Sequence, residues 1–184
     1  MLPSLFAGRL VRLAAPLPAD KALFAAWSGD DNYLRHLDDD PIRPQAETGY
    51  ASFDAPSAPD SFYFHMRTLA DDCLIGFVVL FNLKWSNQSA EMAIGIGDAT
   101  YRGRGYGQDG LRLILNYAFN ELNLYRVGLS VIAYNAPAIR AYERAGFIRE
   151  GVWRGAVQRN GQRHDMLLYG VLRHEWMARP NGQA

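Results

Sequence analysis

Apolar residues alternate around Leu10, Val11 and Leu13, so residues 8–15 predict a first strand. Pro18 and Asp20 then open a stretch in which Leu23, Phe24 and Trp27 recur at helical spacing. Over residues 30–59 the periodicity fades. Asp, Pro, Ala and Ser dominate there, with a weak helical signal at 45–53, and a mobile surface segment is expected. Such segments often line functional sites. Strands are predicted next at 61–68, 73–83 and 88–97, and the short turns between them imply antiparallel neighbours.

After residue 107 the pattern changes. Residues 108–122 set Leu111, Ile114, Leu115, Ala118 and Leu122 on one helical face, and 125–133 reads as a strand, so a β-α-β unit follows the meander. Asn135 suits an N-cap, Pro137 a first turn and Gly146 a helix stop, which bounds a short helix at 136–145. Two last strands, 147–157 and 163–172, are joined across the hairpin signal Arg159, Asn160, Gly161, and residues 179–184 are expected to fray. With no internal repeat and no linker, residues 1–184 are expected to form a single domain of the α+β class around a mixed sheet.

Charge and composition narrow the function. Nineteen Lys plus Arg balance nineteen Asp plus Glu, which leaves no global basic field for nucleic acid or an anionic membrane. The longest uncharged apolar run, 73–83, is far short of the roughly 20 residues that span a bilayer, and no signal-peptide pattern opens the chain. A soluble cytoplasmic protein is expected. Cys73 is the single cysteine, so an internal disulfide is impossible, and its apolar surroundings predict a buried structural thiol. His36, His65, His164 and His174 lack zinc-site spacing, and no metal is expected.

The chemistry concentrates in one loop. Gly103, Gly105 and Gly107 precede a helix N-terminus, where backbone N–H groups can converge on a phosphate without Cβ obstruction. Arg102 and Arg104 in the same loop favour a diphosphate. Gly105, Gly107 and Gly110 also match the dinucleotide fingerprint G-x-G-x-x-G. That reading needs an acidic residue at the end of the next strand, which instead closes on Ala133, Tyr134 and Asn135. It also needs a parallel strand before the loop, where an antiparallel meander is predicted.

Arg102-x-x-Gly105-x-Gly107 resembles the pyrophosphate loop of the GNAT superfamily of N-acetyltransferases. Asn135, followed by Tyr142 and then Gly146-Phe147, is similar to the GNAT segment in which an Asn leads a short Tyr-bearing helix. With Glu91–Gly97 these motifs cover roughly residues 88–172, and the branch most resembled is that of ribosomal-protein N-terminal and spermidine acetyltransferases, whose ends also read like residues 160–166. The resemblance implies a mostly antiparallel sheet of six to seven strands, about four helices, and a splayed central parallel pair at 88–97 and 125–133.

It further implies acetyl-CoA as cosubstrate, with no metal. Backbone groups near Ala93, Ile94 and Ile96 would pair with the pantetheine arm, Arg102, Gly103, Arg104, Gly105, Tyr106 and Gly107 would hold the diphosphate, and Asn135 would hold the arm. Direct attack by an amine requires an oxyanion donor, an acid for sulfur and a route for the amine proton. Tyr142 is the implied acid, and Glu91 the base or the anchor of a water. The acceptor would be a peptide N-terminus, a polyamine or a small amine. A non-catalytic acyl-CoA-binding module is the alternative, and a homodimer is compatible with an unpaired sheet edge. On the acceptor side, Asp38, Asp39 and Asp40 beside His36 and Tyr33 read either as a solvated loop or as a cation-attracting patch. Trp27, Trp85 and Trp153 read either as site walls or as packing.

Overall fold

A computed structural model of the chain describes residues 4–54 and 60–179. Among these, seven strands form a sheet: β1 (Val11–Ala14), β2 (Phe62–Thr68), β3 (Leu74–Lys84), β4 (Ser89–Ile96), β5 (Arg126–Ile132), β6 (Ile148–Arg159) and β7 (Gln162–Leu172). Their order is β1-β2-β3-β4-β5-β7-β6, antiparallel throughout except between β4 and β5. The helices are α1 (Lys21–Trp27), α2 (Asp31–Leu37), α3 (Tyr106–Asn116), α4 (Ala136–Ala145) and α5 (Arg173–Met177), with a π-helical turn, Tyr117–Glu121, extending α3. This is the expected mixed architecture with its parallel pair.

The predicted apolar face of α3 lies at the centre of the core. Leu111, Ile114, Leu115 and Ala118 are at most 1% exposed and pack in one cluster with Met66, Val78, Leu80 and Val127. The segment expected as surface is exposed or half-buried at nearly every described position, and a 3-10 turn falls on its weak helical signal, but α2 was not foreseen. Asp30 caps α2 by accepting the Tyr33 N–H at 3.1 Å, and Tyr33 is buried. A 3-10 turn at Glu47–Asp54 lays Tyr50 and Phe53 against Phe24, with ring centroids 5.6 and 4.9 Å away. Because α2 buries a single residue, it leaves no periodicity to read. The parts of these expectations that fall on 55–59 and 180–184 lie outside the described residues.

Cys73 also departs from expectation. β3 begins one residue later, and Cys73 sits exposed in the β2–β3 turn, its N–H donating to Thr68 Oγ1 at 3.0 Å. A hydrogen bond to the Asp71 carboxylate raises the thiol above its usual range, which makes it a poor nucleophile.

Two buried carboxylates anchor the N-terminal strand and helix. Asp109, in the first turn of α3, accepts the N–H groups of Arg9, Leu10 and Val11 on Oδ2 at 2.8, 2.8 and 3.0 Å. The approach is so close that a Cβ on Gly8 would lie 2.3 Å from that oxygen. Asp20 receives the His65 Nδ1 proton at 2.6 Å, the Leu17 N–H at 3.0 Å and the Arg67 guanidinium. His65 is fully buried between Phe24 and Phe53, and its Nε2 has no partner. Burial pulls the imidazole below its usual 6.5, against the opposing pull of Asp20. Burial raises Asp20, but its hydrogen bonds to His65, Leu17 and Arg67 outweigh that and hold the carboxyl below the usual 3.8.

Asp109→Ala strands three N–H donors and is expected to lose about 3 kcal/mol in urea unfolding; a loss below about 1 kcal/mol would mean that water replaces the carboxylate. Both depressed groups contribute stability that is full above their unfolded values and is lost as pH falls through the folded ones. The urea midpoint is therefore expected to fall as pH drops below about 6.5, and His65→Asn to flatten that slope, since its amide keeps the donor to Asp20 without titrating. An unchanged slope would place the acid sensitivity elsewhere.

Candidate functional site

β4 stays in register with β3 from Glu91 to Ile96, and β5 with β7 from Arg126 to Ile132. Between β4 and β5, however, the pairing is limited to Ser89↔Arg126, Ala90↔Val127 and Glu91↔Gly128. Beyond these the two strands diverge, so the facing edges at 92–96 and 129–132 lack a strand partner. Backbone N–H and C=O groups inside a fold require partners, and such an edge is a template for an extended ligand.

A cleft of about 420 Å³ opens there, lined by Ile94, Gly95 and Ile96 of β4, the loop before α3, and faces of α2 and α4. Its floor is the N-terminus of α3. Gly105 is the N-cap, at φ 91°, and no side chain caps the helix, so the first-turn N–H groups are left for a ligand. Gly103 and Gly105 both take left-handed backbone, and a Cβ at Gly103 would meet nothing within 4 Å, so the loop leaves open space beside these amides.

The loop arginines do other work than charge alone implies. Arg102 Nε donates to the Ile96 carbonyl at 2.9 Å and Nη2 to that of Gly97 at 2.6 Å, with Asp30 at 3.7 Å and the Tyr33 ring centroid at 5.2 Å. It therefore lines the cleft while locking the loop to the end of β4. Arg104 is exposed, donates to the Thr100 carbonyl at 3.2 Å, and lies off the cleft, as does Tyr106, whose ring packs edge-on against Tyr101. Sequence reading missed Arg140 and Arg144, one helical turn apart on α4, which line the cleft and have no ion-pair partner among the described residues. Their i, i+4 spacing was a readable signal. Among the described residues, three arginines and no carboxylate line the cleft.

Tyr142 lines the cleft from α4, packed against Phe147 at 5.9 Å, and burial pushes its phenol up to about 12. Its hydroxyl has no hydrogen-bond partner among the described residues. Asn135 is more constrained. Its Oδ1 caps α4 by accepting the Ala138 N–H at 3.2 Å, and its Nδ2 donates to the His36 carbonyl at 3.0 Å. The Tyr134 hydroxyl donates to the neighbouring Arg35 carbonyl, so β5 and α4 together hold the end of α2.

α2 brings Asn32, Tyr33, His36 and Leu37 to the cleft; sequence reading named Tyr33 and His36 only as neighbours of the 38–40 patch. Gly95 permits this: a Cβ there would lie 3.0 Å from the Tyr33 hydroxyl oxygen and 2.9 Å from Leu37. Glu91 and Ala93 are not among the lining residues. Glu91 is exposed at the last paired position of β4, its Oε1 3.5 Å from Asn82 Nδ2. Residues 38–40 are exposed, with the Asp38 and Asp40 carbonyls held by Arg159 at 3.1 and 2.8 Å. Trp27 packs across Gly97, where a Cβ would fall 2.0 Å from its ring, while Trp85 and Trp153 are exposed away from the cleft. Among the described residues no group of three His, Cys, Asp or Glu is placed to hold a metal, and no helix is long and apolar enough to cross a membrane.

The chain is similar to known N-acetyltransferases. The probable N-acetyltransferase YjcK of Bacillus subtilis is 34% identical over 114 residues, 61% of this chain and 62% of that one. The putative ribosomal N-acetyltransferase YdaF of the same organism is 35% identical over 108 residues, 59% of this chain and 58% of that one. The chain thus spans about three fifths of the length of these relatives. The fold superposes on the crystal structure of spermidine N-acetyltransferase from Vibrio cholerae in complex with CoA and spermine, with a TM-score of 0.79 and 23% identity over 91% of this chain and 98% of that one. Residues 11–148 match the acetyltransferase (GNAT) domain family, a stretch that runs from β1 to the start of β6 and takes in every element bounding the cleft, and the chain belongs to that family.

Proposed function

We propose that the protein transfers an acetyl group from acetyl-CoA to a primary amine by direct attack. The observation that carries this reading is the divergence of β4 and β5 into a cleft that ends on an uncapped helix N-terminus. Unpaired strand edges suit the amides of a pantetheine arm, and first-turn N–H groups suit a diphosphate. Arg140 and Arg144 supply the balancing positive charge from α4. Acetyl-CoA supplies an activated thioester, and the protein has only to orient it, exclude water and manage protons.

Tyr142 faces that cleft with a free hydroxyl. A phenol at about 12 stays protonated at neutral pH. Full proton transfer to a thiolate near 8.5 is uphill by about 5 kcal/mol, so Tyr142 acts as a hydrogen-bond donor that stabilises the departing sulfur. A polycationic acceptor would be drawn by carboxylates, and none is among the described residues that line the cleft. A singly charged amine such as a peptide α-amine fits these walls better than a polyamine. It also has less proton to shed, at about 1 kcal/mol against about 4 for an aliphatic amine at pH 7.

Free-thiol release from acetyl-CoA should appear with Ser- or Ala-initiated peptides and be weaker with spermidine; CoA binding without release across amine classes would favour the non-catalytic module. Tyr142→Phe is expected to keep the CoA-induced rise in melting temperature and to lose about 10–100-fold in turnover. Equal turnover would end the assignment of Tyr142. Gly105→Asp puts a carboxylate beside the first-turn N–H groups of α3 and should abolish the CoA-induced rise; an unchanged rise would remove the diphosphate from this loop.

A further inference from the structure

We infer that His36 takes the proton from the attacking amine, an inference that rests on the transferase reading above. The titratable groups among the described cleft-lining residues are Tyr33, His36, Arg102, Arg140, Tyr142 and Arg144. Guanidinium groups stay cationic in proteins. Tyr33 and Tyr142 are buried phenols, both held in the protonated form by that burial. Glu91, the carboxylate singled out by sequence, stands outside the lining. An imidazole is the side chain suited to accept a proton near neutrality.

A backbone contact fixes the His36 tautomer. His36 Nδ1 lies 2.7 Å from the Asn32 carbonyl oxygen, which can only accept, so the ring proton of the neutral imidazole is on Nδ1. Nε2 is then a lone pair, with no hydrogen-bond partner among the described residues. The ring is held edge-on against Tyr134 at 5.3 Å, whose own ring meets His164 at 4.9 Å. The His36 carbonyl is tied to Asn135, the residue that caps the Tyr142 helix. The proton acceptor on α2 and the sulfur-facing phenol on α4 are thus set against each other through one side chain.

The proton balance is complete within these groups. The ammonium form of the acceptor gives a proton to His36 Nε2; the neutral nitrogen then bonds to the acetyl carbon, and the proton now surplus on it passes to the departing sulfur. The C–S bond breaks with its electron pair on sulfur, where the Tyr142 hydroxyl donates. The imidazolium gives its proton to water, which restores the starting state.

Two measurements test this with the whole protein. Long-range 1H–15N correlation spectra of the ligand-free chain, with His36→Asn to assign the signal, should show the Nδ1–H tautomer at His36; the Nε2–H tautomer would overturn the inference. Kinetics should then compare wild type and His36→Asn on a peptide amine and on the matching hydrazide, whose nitrogen is already neutral. Asparagine keeps a donor for the Asn32 carbonyl and removes the base. A loss of about 100-fold on the amine, against about threefold or less on the hydrazide, is expected, with the CoA-induced melting shift retained. Equal losses on both acceptors would mean a positional role only, and the amine-selective loss appearing in Glu91→Gln instead would return the proton to Glu91. Wild-type protein that binds CoA yet acetylates neither acceptor would defeat the transferase reading, whereas normal turnover in His36→Asn would defeat this inference alone.

Discussion

Three residue pairs join the two halves of the sheet, and the rest of the architecture follows from their being so few. Each half is a complete antiparallel sheet: β4 is bound along its length by β3, and β5 by β7. Neither strand can bend toward the other without breaking its own ladder, so the gap beyond Glu91 and Gly128 persists. The unpaired edges would be costly if buried dry. Placing them on a cleft lets solvent or a ligand satisfy them, and α3 and α4 close the far side.

The second half of the site is added by segments distant in sequence. α2 reaches the cleft because Tyr134 and Asn135 bind its last carbonyls and because Arg159 and Asn160, at the β6–β7 turn, grip Asp38, Asp40 and Arg35. Most of these contacts are donors to backbone carbonyls, so they fix the path of the chain whatever side chains it carries. The charge inventory follows from that path. The acidic residues of the 38–40 segment are held outside the lining, and the cations of α4 face inward. The charged side chains among the described lining residues are therefore cationic.

Arg102 illustrates how one residue can satisfy a motif for a different physical reason than its charge suggests. Its guanidinium is used by the Ile96 and Gly97 carbonyls, so its strongest interactions hold the glycine loop where α3 can present its N–H groups. Asn135 does the same on the other wall, with both ends of its amide committed to α4 and α2.

Strand and helix positions were legible in the sequence because they depend on local periodicity and on short-range stop signals. The three strands of the meander, the apolar face of α3 and the helix between Asn135 and Gly146 all declare themselves within a dozen residues. The position of the glycine loop before α3 was legible for the same reason, since it is a local feature of the backbone. Tertiary structure alone decided which side chains meet. α2 buries one tyrosine and so has no pattern, β3 begins one residue after Cys73, and Glu91 stands off the cleft because it is still paired across to Gly128, where the strands have not yet parted. His36 reaches the cleft through contacts made a hundred residues away, and no local signal encodes a distance of that kind.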